Sequence, residues 1–531
     1  MTNEQQHAII CLTNVYTYVT GNLSEELKDA IRDKVAYTLP GAKYISEYQE
    51  KKRGLSPRVE SDSDDSDGKK KFWDGTCSLA RHWSVRNSDG TRCNGLVIPT
   101  GLYSMLREVF TQNDIPYTLE DQRQPAVTAT GWSTEGFTLR DYQQGIEETM
   151  LNRQRGVMKM ATGGGKTHQM LSGMINAACF PATFYVPSCD LLEQTYDVFS
   201  KHARYNGQPV EIGRIGNGHC DIRNITIATI QSCQMALEGK FDKFDEESPD
   251  DDTEFSESQK RDIAGLVRST QFAYCDEAQH TSCKTIQAIF NNSGAARFRI
   301  GGSASPWRDD GLDKLIEACF GRKFCDITAS FLIHNNYLVR PHIVFNHFDQ
   351  FLGKAAKYQS AYSKYVVEND VRNRWVAERA TYHVKEGRPT IILVKWSKHA
   401  EILQELLPDA EVLTSSGKLK KTPEKRKEVL DRMRERKLML IIGTTLLDEG
   451  VDLPAANVGI FAGGGKSSTR ALQRTGRIIR KDEKDPGKDI AYIEEFYDHT
   501  KWLDHHARAR IKILSTEPEF QITNNRATMN L

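Results

Sequence analysis

The 531 residues allow roughly three domains at about 100 to 200 residues each. With 39% hydrophobic and 27% charged residues, 21 Phe, 19 Tyr and 7 Trp, the composition excludes a globally disordered or fibrous chain. The 71 basic and 71 acidic residues cancel, but two acidic stretches, Glu60 to Asp67 and Asp242 to Glu257, carry −5 and −8 and leave +13 on the rest, a basic body that suits a polyanionic partner.

No window approaches the roughly 18 to 20 apolar residues of a membrane span, and Met1 to Thr20 lacks a basic start followed by an apolar block. A soluble, unexported protein is expected. Eleven cysteines stand singly with no C-x-x-C pair, which points to a reducing compartment such as the cytoplasm.

Along the chain, Leu23 to Tyr37 reads as a helix, Trp73 to Val97 as strand-like runs around turn signals, and Gly101 to Asn113 as a second helix, giving a small α+β domain. From about Gly131 short apolar runs alternate with amphipathic segments: Gly156 to Met160, Ala182 to Val186, Ile225 to Thr229, Phe272 to Cys275 and Phe298 to Ile300. A second series follows at Thr390 to Val394, Glu411 to Leu413, Leu438 to Ile442, Val458 to Phe461 and Ile490 to Phe496. The alternation predicts two parallel sheets wrapped by helices. The acidic stretches are Ser- and Asp-rich and read as mobile insertions.

Met160-Ala161-Thr162-Gly163-Gly164-Gly165-Lys166-Thr167 follows a strand and opens a helix, the context in which a glycine-rich loop turns its N–H groups toward phosphates. Lys166 would reach the β- and γ-phosphates of ATP and the Thr167 hydroxyl would hold Mg²⁺. Met160 stands where the strict string has its first glycine. About 110 residues on, a strand ends in Asp276-Glu277, with Asp276 placed to hold Mg²⁺ and Glu277 to orient and deprotonate the attacking water. Gly463-Gly464-Gly465-Lys466-Ser467 looks superficially similar to the first loop, but no acidic strand-end pair follows it, so one nucleotide per chain is expected.

Asp276-Glu277-Ala278-Gln279-His280, Ser303-Ala304-Ser305-Pro306 and Gln473-Arg474-Thr475-Gly476-Arg477-Ile478-Ile479-Arg480 occur in the order and spacing of superfamily 2 helicases. Arg299 to Gly311 and Leu338 to Pro341 look like the XPB-type motor group. Phe72-Trp73-Asp74-Gly75 and Pro99-Thr100-Gly101-Leu102 resemble the phage UvsW-type branch-migration helicases. The resemblance implies two tandem RecA-like parallel-sheet domains, 131–335 with the ATP site and the 242–257 insertion, and 336–531 with the arginine fingers and a C-terminal tail. Residues 1–130 would be the α+β DNA-binding accessory domain.

The resemblance also implies roles. Gln143 would read adenine; Thr162, Gly163, Gly164, Gly165, Lys166, Thr167 and Asp276 would hold Mg²⁺-ATP; Glu277, Gln473, Arg477 and Arg480 would act in hydrolysis. Pro187, Ser188, Thr229, Gln231, Ser232, Thr444 and Thr445 would grip the nucleic-acid backbone, and Gly450-Val451-Asp452-Leu453-Pro454 would couple the nucleotide site to the track. Trp73 would stack at a junction. Two positions depart from the family: Gln279 replaces its usual Asp or His, and Ser305 its usual Thr. The function implied is an ATP-dependent, monomeric helicase that remodels forked or branched DNA beside recombination, repair or replication proteins. An RNA helicase and the translocating subunit of a restriction or defence system stay open as alternatives.

Overall fold

Alternating apolar strands and amphipathic helices produce two large, mostly parallel sheets and a smaller mixed one. The computed structural model describes residues 7–39, 76–86, 92–123, 127–238, 254–282, 284–304, 312–348, 357–414, 419–444, 455–465, 467–482 and 484–526. It divides into two compact units, Met1–Lys159 with Lys166–Asp326, and Met160–Gly165 with Ile327–Leu531.

In the first unit an eight-stranded sheet runs in the order His219–Asp221, Gly213–Gly216, Ile225–Thr229, Ala182–Val186, Phe272–Cys275, Phe298–Ser303, Arg155–Met160, Lys323–Ile327. From Gly213–Gly216 to Arg155–Met160 every pairing is parallel. Four strands are buried along their whole length, because helices cover both faces and leave no side for polar alternation. Arg155–Met160, Phe298–Ser303 and Phe272–Cys275 are neighbours, so their carboxyl ends lie side by side, where open parallel sheets bind ligands.

The same unit carries a five-stranded sheet ordered Arg81–Arg86, Arg92–Pro99, Tyr16–Gly21, Ala8–Leu12, Tyr117–Asp121. Alternate residues Ile10, Val19, Leu96 and Ile98 pack on Leu27 and Ile31 of the helix Glu25–Lys34 and on Leu106 and Phe110 of Tyr103–Gln112. The expected helix from Leu23 to Tyr37 ends early: β-branched Val35 caps it, and Ala36–Thr38 pairs as a strand with Thr76–Ser78. This module docks on the eight-stranded layer. Asn14 Nδ2 donates to Gly294 O (3.0 Å), Arg155 Nη2 to Asn14 O (3.1 Å) and Lys314 Nζ to Lys34 O (2.9 Å), while Ala318 joins the module's core. Gly101 lies so close to the helix Asp313–Phe320 that a Cβ would stand 2.5 Å from Ala318 O.

The stretch from Asp242 to Glu257 falls mostly outside the described residues, and its end is described from Glu254. Phe255 is buried, and Ser256 caps the helix Glu257–Ser269 by accepting from Gln259 N–H.

In the second unit seven strands, all parallel, run Glu411–Leu413, Leu440–Gly443, Thr390–Leu393, Val458–Ile460, Ile490–Asp498, Arg340–Phe348, Gln521–Arg526. The helix Asp370–Lys385 is tied to Ile490–Asp498 by ion pairs of buried Arg372 with Asp498 (2.9 Å) and Arg379 with Glu494 (2.5 Å). Among the described residues no helix is long and apolar enough to cross a membrane.

Candidate active site

The strand Arg155–Met160 runs into the loop 161–165 and then the helix Lys166–Ala177. Gly163 (φ +86°) and Gly165 (φ +81°) adopt left-handed backbone that a side chain would strain. Gly164 needs its lack of a Cβ for a different reason. A Cβ there would stand 2.5 Å from Met160 Cγ and 2.8 Å from its Sδ. Met160 is fully buried, so its side chain fills the floor of the loop. A large residue at the start of the string therefore goes with glycine at 164.

Asp276 and Glu277 leave the end of Phe272–Cys275. Asp276 N–H donates to Tyr185 O (2.9 Å), and its carboxylate accepts from the Tyr274 hydroxyl (3.3 Å). Burial, and then the neighbouring Glu277, raise the Asp276 pKa, while the Lys166 ammonium pulls it down. Lys166 and Asp276 thus already feel one another across the sheet's carboxyl edge. Glu277 sits at φ +51°, an uncommon conformation for a residue with a side chain.

Gln279 Nε2 donates to Glu277 Oε2 (2.8 Å), and Ser303 Oγ donates to Gln279 Oε1 (2.5 Å). At the position where the chain departs from the family, an amide, with a donor at one end and an acceptor at the other, bridges the acid pair to the end of the neighbouring strand. Tyr274 was not among the candidate residues. Its signal was available, since Tyr274 and Asp276 stand two apart leaving a strand and share a face. Gly302 leaves room for it, because a Cβ there would meet the Tyr274 ring.

Gln143 is buried at the start of the helix Asp141–Arg153, where its Oε1 accepts from Arg140 N–H (2.9 Å). The side chain closes the first turn of its own helix. Ser188 caps Cys189–His202 by accepting from Leu191 N–H (3.4 Å), and Gln231 Nε2 donates to Pro187 O (2.9 Å). Thr229 and Ser232 are fully buried, with the Thr229 hydroxyl donating to Ser232 Oγ (2.8 Å). The hydroxyls of this pair face each other, so these segments hold together two helix starts. Thr444 is buried after Leu440–Gly443, its N–H donating to Leu413 O (3.1 Å). Thr445, Trp73 and residues 450–454 lie outside the described residues.

Gln473 and Arg474 are buried in the helix Ser468–Ile478, with Arg477 and Arg480 half-buried at and beyond its end. The loop segment 160–165 belongs to the same compact unit as this helix. Within it, a Cβ on Gly476 would stand 2.8 Å from Thr162 Cβ, and one on Gly163 would stand 3.6 Å from Arg480 Cγ. The structure therefore brings Thr162 and Gly163 against the arginine-bearing segment.

Two family models match along the chain in the order the motifs require. Residues 136–308 match "Type III restriction enzyme, res subunit", and residues 373–482 match "Helicase conserved C-terminal domain". Together the two matches support a superfamily 2 helicase. Its motor is of the XPB-like group, and as such a helicase it is an ATP-dependent enzyme. One relative is the "DNA 3'-5' translocase XPB2" of Sulfurisphaera tokodaii, 25% identical over 384 residues that cover 65% of this helicase and 80% of that protein. Among solved structures, a fragment of a putative HsdR subunit of a type I restriction enzyme from Vibrio vulnificus YJ016 is 18% identical, covers 73% of this chain and 68% of its own, and has a TM-score of 0.50. That likeness is one of fold. T4 UvsW, 16% identical, aligns over 98% of this helicase and 99% of its own chain at a TM-score of 0.40, too loose to carry an argument.

Proposed function

We propose that this helicase is an ATP-driven DNA translocase that remodels forked and branched DNA. The DNA substrate is supported by the name of the XPB2 relative. The branched-DNA part rests on one observation, the docking of the five-stranded module on the ATP-site layer through Asn14, Arg155, Lys314 and Gly101. A module fixed to one half of a motor is carried along by each step, which is what displacing a duplex arm requires. In this reading residues 1–130 are the DNA-binding accessory domain, 131–335 carry the ATP site and 336–531 the arginine fingers.

The residues fit Mg²⁺-ATP. A carboxylate whose pKa burial and then Glu277 raise, and a hydroxyl at the start of the helix Lys166–Ala177, are oxygen donors of the kind Mg²⁺ takes, so Asp276 and Thr167 would hold the metal, which would neutralise phosphate charge. Lys166 then positions the phosphates, Glu277 accepts the proton of the attacking water, and Gln279 fixes the Glu277 carboxylate from the side. Arg477 and Arg480 stabilise charge in the transition state, with Gln473 beside them.

The description of the 136–308 match favours a second reading, the translocating subunit of a restriction system. ATPase and remodelling assays with duplex, forked and four-way DNA and with RNA separate the readings. Lys166→Ala and Glu277→Gln should each lower turnover by orders of magnitude, with remodelling lost. Stimulation by RNA alone, or translocation on duplex with no remodelling of four-way DNA, would overturn the proposal.

A further inference from the structure

Of the two acids that follow Phe272–Cys275, Glu277 is steadied by Gln279, and Asp276 by a tyrosine to which the motor roles above assign nothing. Tyr274 stands two residues before Asp276 on the strand, so both side chains point to one face of the sheet. Its hydroxyl donates to Asp276 Oδ1 at 3.3 Å. A tyrosine keeps that proton at neutral pH, so the group beside the carboxylate is a donor and not another anion.

The ring is held from both sides. Tyr274 is fully buried, and Phe184 of the neighbouring strand Ala182–Val186 packs on it with ring centres 4.5 Å apart. On the other side Phe298–Ser303 pairs in parallel with Cys275 beside Gly301, which puts Gly302 next to Asp276. A Cβ on Gly302 would stand 2.6 Å from Tyr274 Cζ and nearer still to the hydroxyl oxygen. Gly302 does not have a positive φ, so what its missing side chain supplies is room for the phenol. Any larger residue there would push the hydroxyl off the carboxylate.

Asp276 is fixed through its backbone as well, by its own N–H to Tyr185 O (2.9 Å), and the Glu277 N–H gives the carboxylate a second donor. A carboxylate gripped in this way cannot swing to turn both oxygens on one cation. Mg²⁺ suits that restraint, because it demands six ligands in near-ideal octahedral geometry at about 2.0 to 2.1 Å. Ca²⁺, with longer bonds of about 2.3 to 2.6 Å and six to eight ligands, readily takes both oxygens of one carboxylate. We propose that Tyr274 is a positioning residue that presents Asp276 as a one-oxygen ligand and so makes the site prefer Mg²⁺ to Ca²⁺, with Gly302 giving it room. The inference rests on the reading of Asp276 as a metal ligand in an ATP site, and holds whichever nucleic acid the enzyme remodels.

The test uses the full chain and equilibrium binding of a labelled, non-hydrolysable ATP analogue in saturating Mg²⁺, in saturating Ca²⁺ and in chelator, so that turnover does not enter. Wild type should bind most tightly in Mg²⁺. Tyr274→Phe keeps the ring and removes only the hydroxyl; it should weaken binding in Mg²⁺ about fivefold and leave binding in Ca²⁺ unchanged or tighter. Gly302→Ala should lower the ratio of the two affinities in the same direction, by displacing the same hydroxyl. A tyrosine that only packs the strand would weaken binding in both cations alike. Equal losses in both, an unchanged ratio in Tyr274→Phe, or a wild type without preference between the cations would overturn the inference and leave the ATP site standing. A wild type that binds the analogue no better in either cation than in chelator would overturn the metal site together with it.

Discussion

Gly101→Ala isolates the contact on which the docked N-terminal module depends. Gly101 does not have a positive φ, so alanine brings no backbone strain and only its methyl group matters. That methyl would lie 2.5 Å from Ala318 O and 2.8 Å from Ala318 C, nearer still to Glu317 O, and all three are backbone atoms of a formed helix. Ordinary contact begins near 3.4 Å, so the module must retreat by about 1 Å. A retreat of that size stretches the bonds of Asn14 to Gly294, Arg155 to Asn14 and Lys314 to Lys34, now 2.9 to 3.1 Å, beyond useful hydrogen-bond length. At about 1 kcal/mol each the loss is about 3 kcal/mol, or roughly a hundredfold in the docking equilibrium. Limited proteolysis should then cut between the module and the eight-stranded layer at low protease, and remodelling of four-way DNA should fall while ATPase persists. An alanine variant as protease-resistant and as active on junctions as wild type would refute the docking argument.

Other outcomes follow from the site and its surroundings. Gln279→Leu removes both ends of the bridge between Glu277 and Ser303 and should lower kcat by about ten- to a hundredfold with little change in ATP affinity; Gln279→Glu, placing like charge beside Glu277, should be no better. Arg477→Ala and Arg480→Ala should reduce turnover far more than nucleotide binding, read by single-turnover kinetics beside equilibrium binding. Burial lowers Lys488 to about 7 against an ordinary 10.5, with Asp482 and Asp485 opposing. Between those values the unfolded chain holds a proton that the folded chain has lost, so this group makes stability rise with pH across that window. Melting midpoints of wild type relative to Lys488→Met should therefore climb from pH 7 to pH 10, and parallel curves would contradict the assignment.

The sheets were legible because their strands are short apolar runs with glycine or acid at the carboxyl end, and Arg155–Met160, Phe272–Cys275 and Phe298–Ser303 lie within a residue or a few of where the runs place them. The acid pair and the glycine loop were legible for the same reason. Three things were not. The mutual bond of Thr229 and Ser232 looks in sequence like two exposed hydroxyls, since spacing does not report burial. The bridge through Gln279 depends on a strand that comes 24 residues later. Docking through Asn14 and Gly101 joins segments about 200 to 300 residues apart, which no local pattern encodes.

Met160 gives the glycine loop 161–165 a deformable floor. A thioether on an unbranched chain can change rotamer without moving its backbone, whereas a branched side chain would transmit any displacement of the loop directly into the strand below. On the proposed function, the glycines above it would shift as phosphate enters and leaves, with the strain absorbed in three soft torsions. In mechanical terms the loop rests on a spring, and replacing Met160 by isoleucine or valine would make that support rigid.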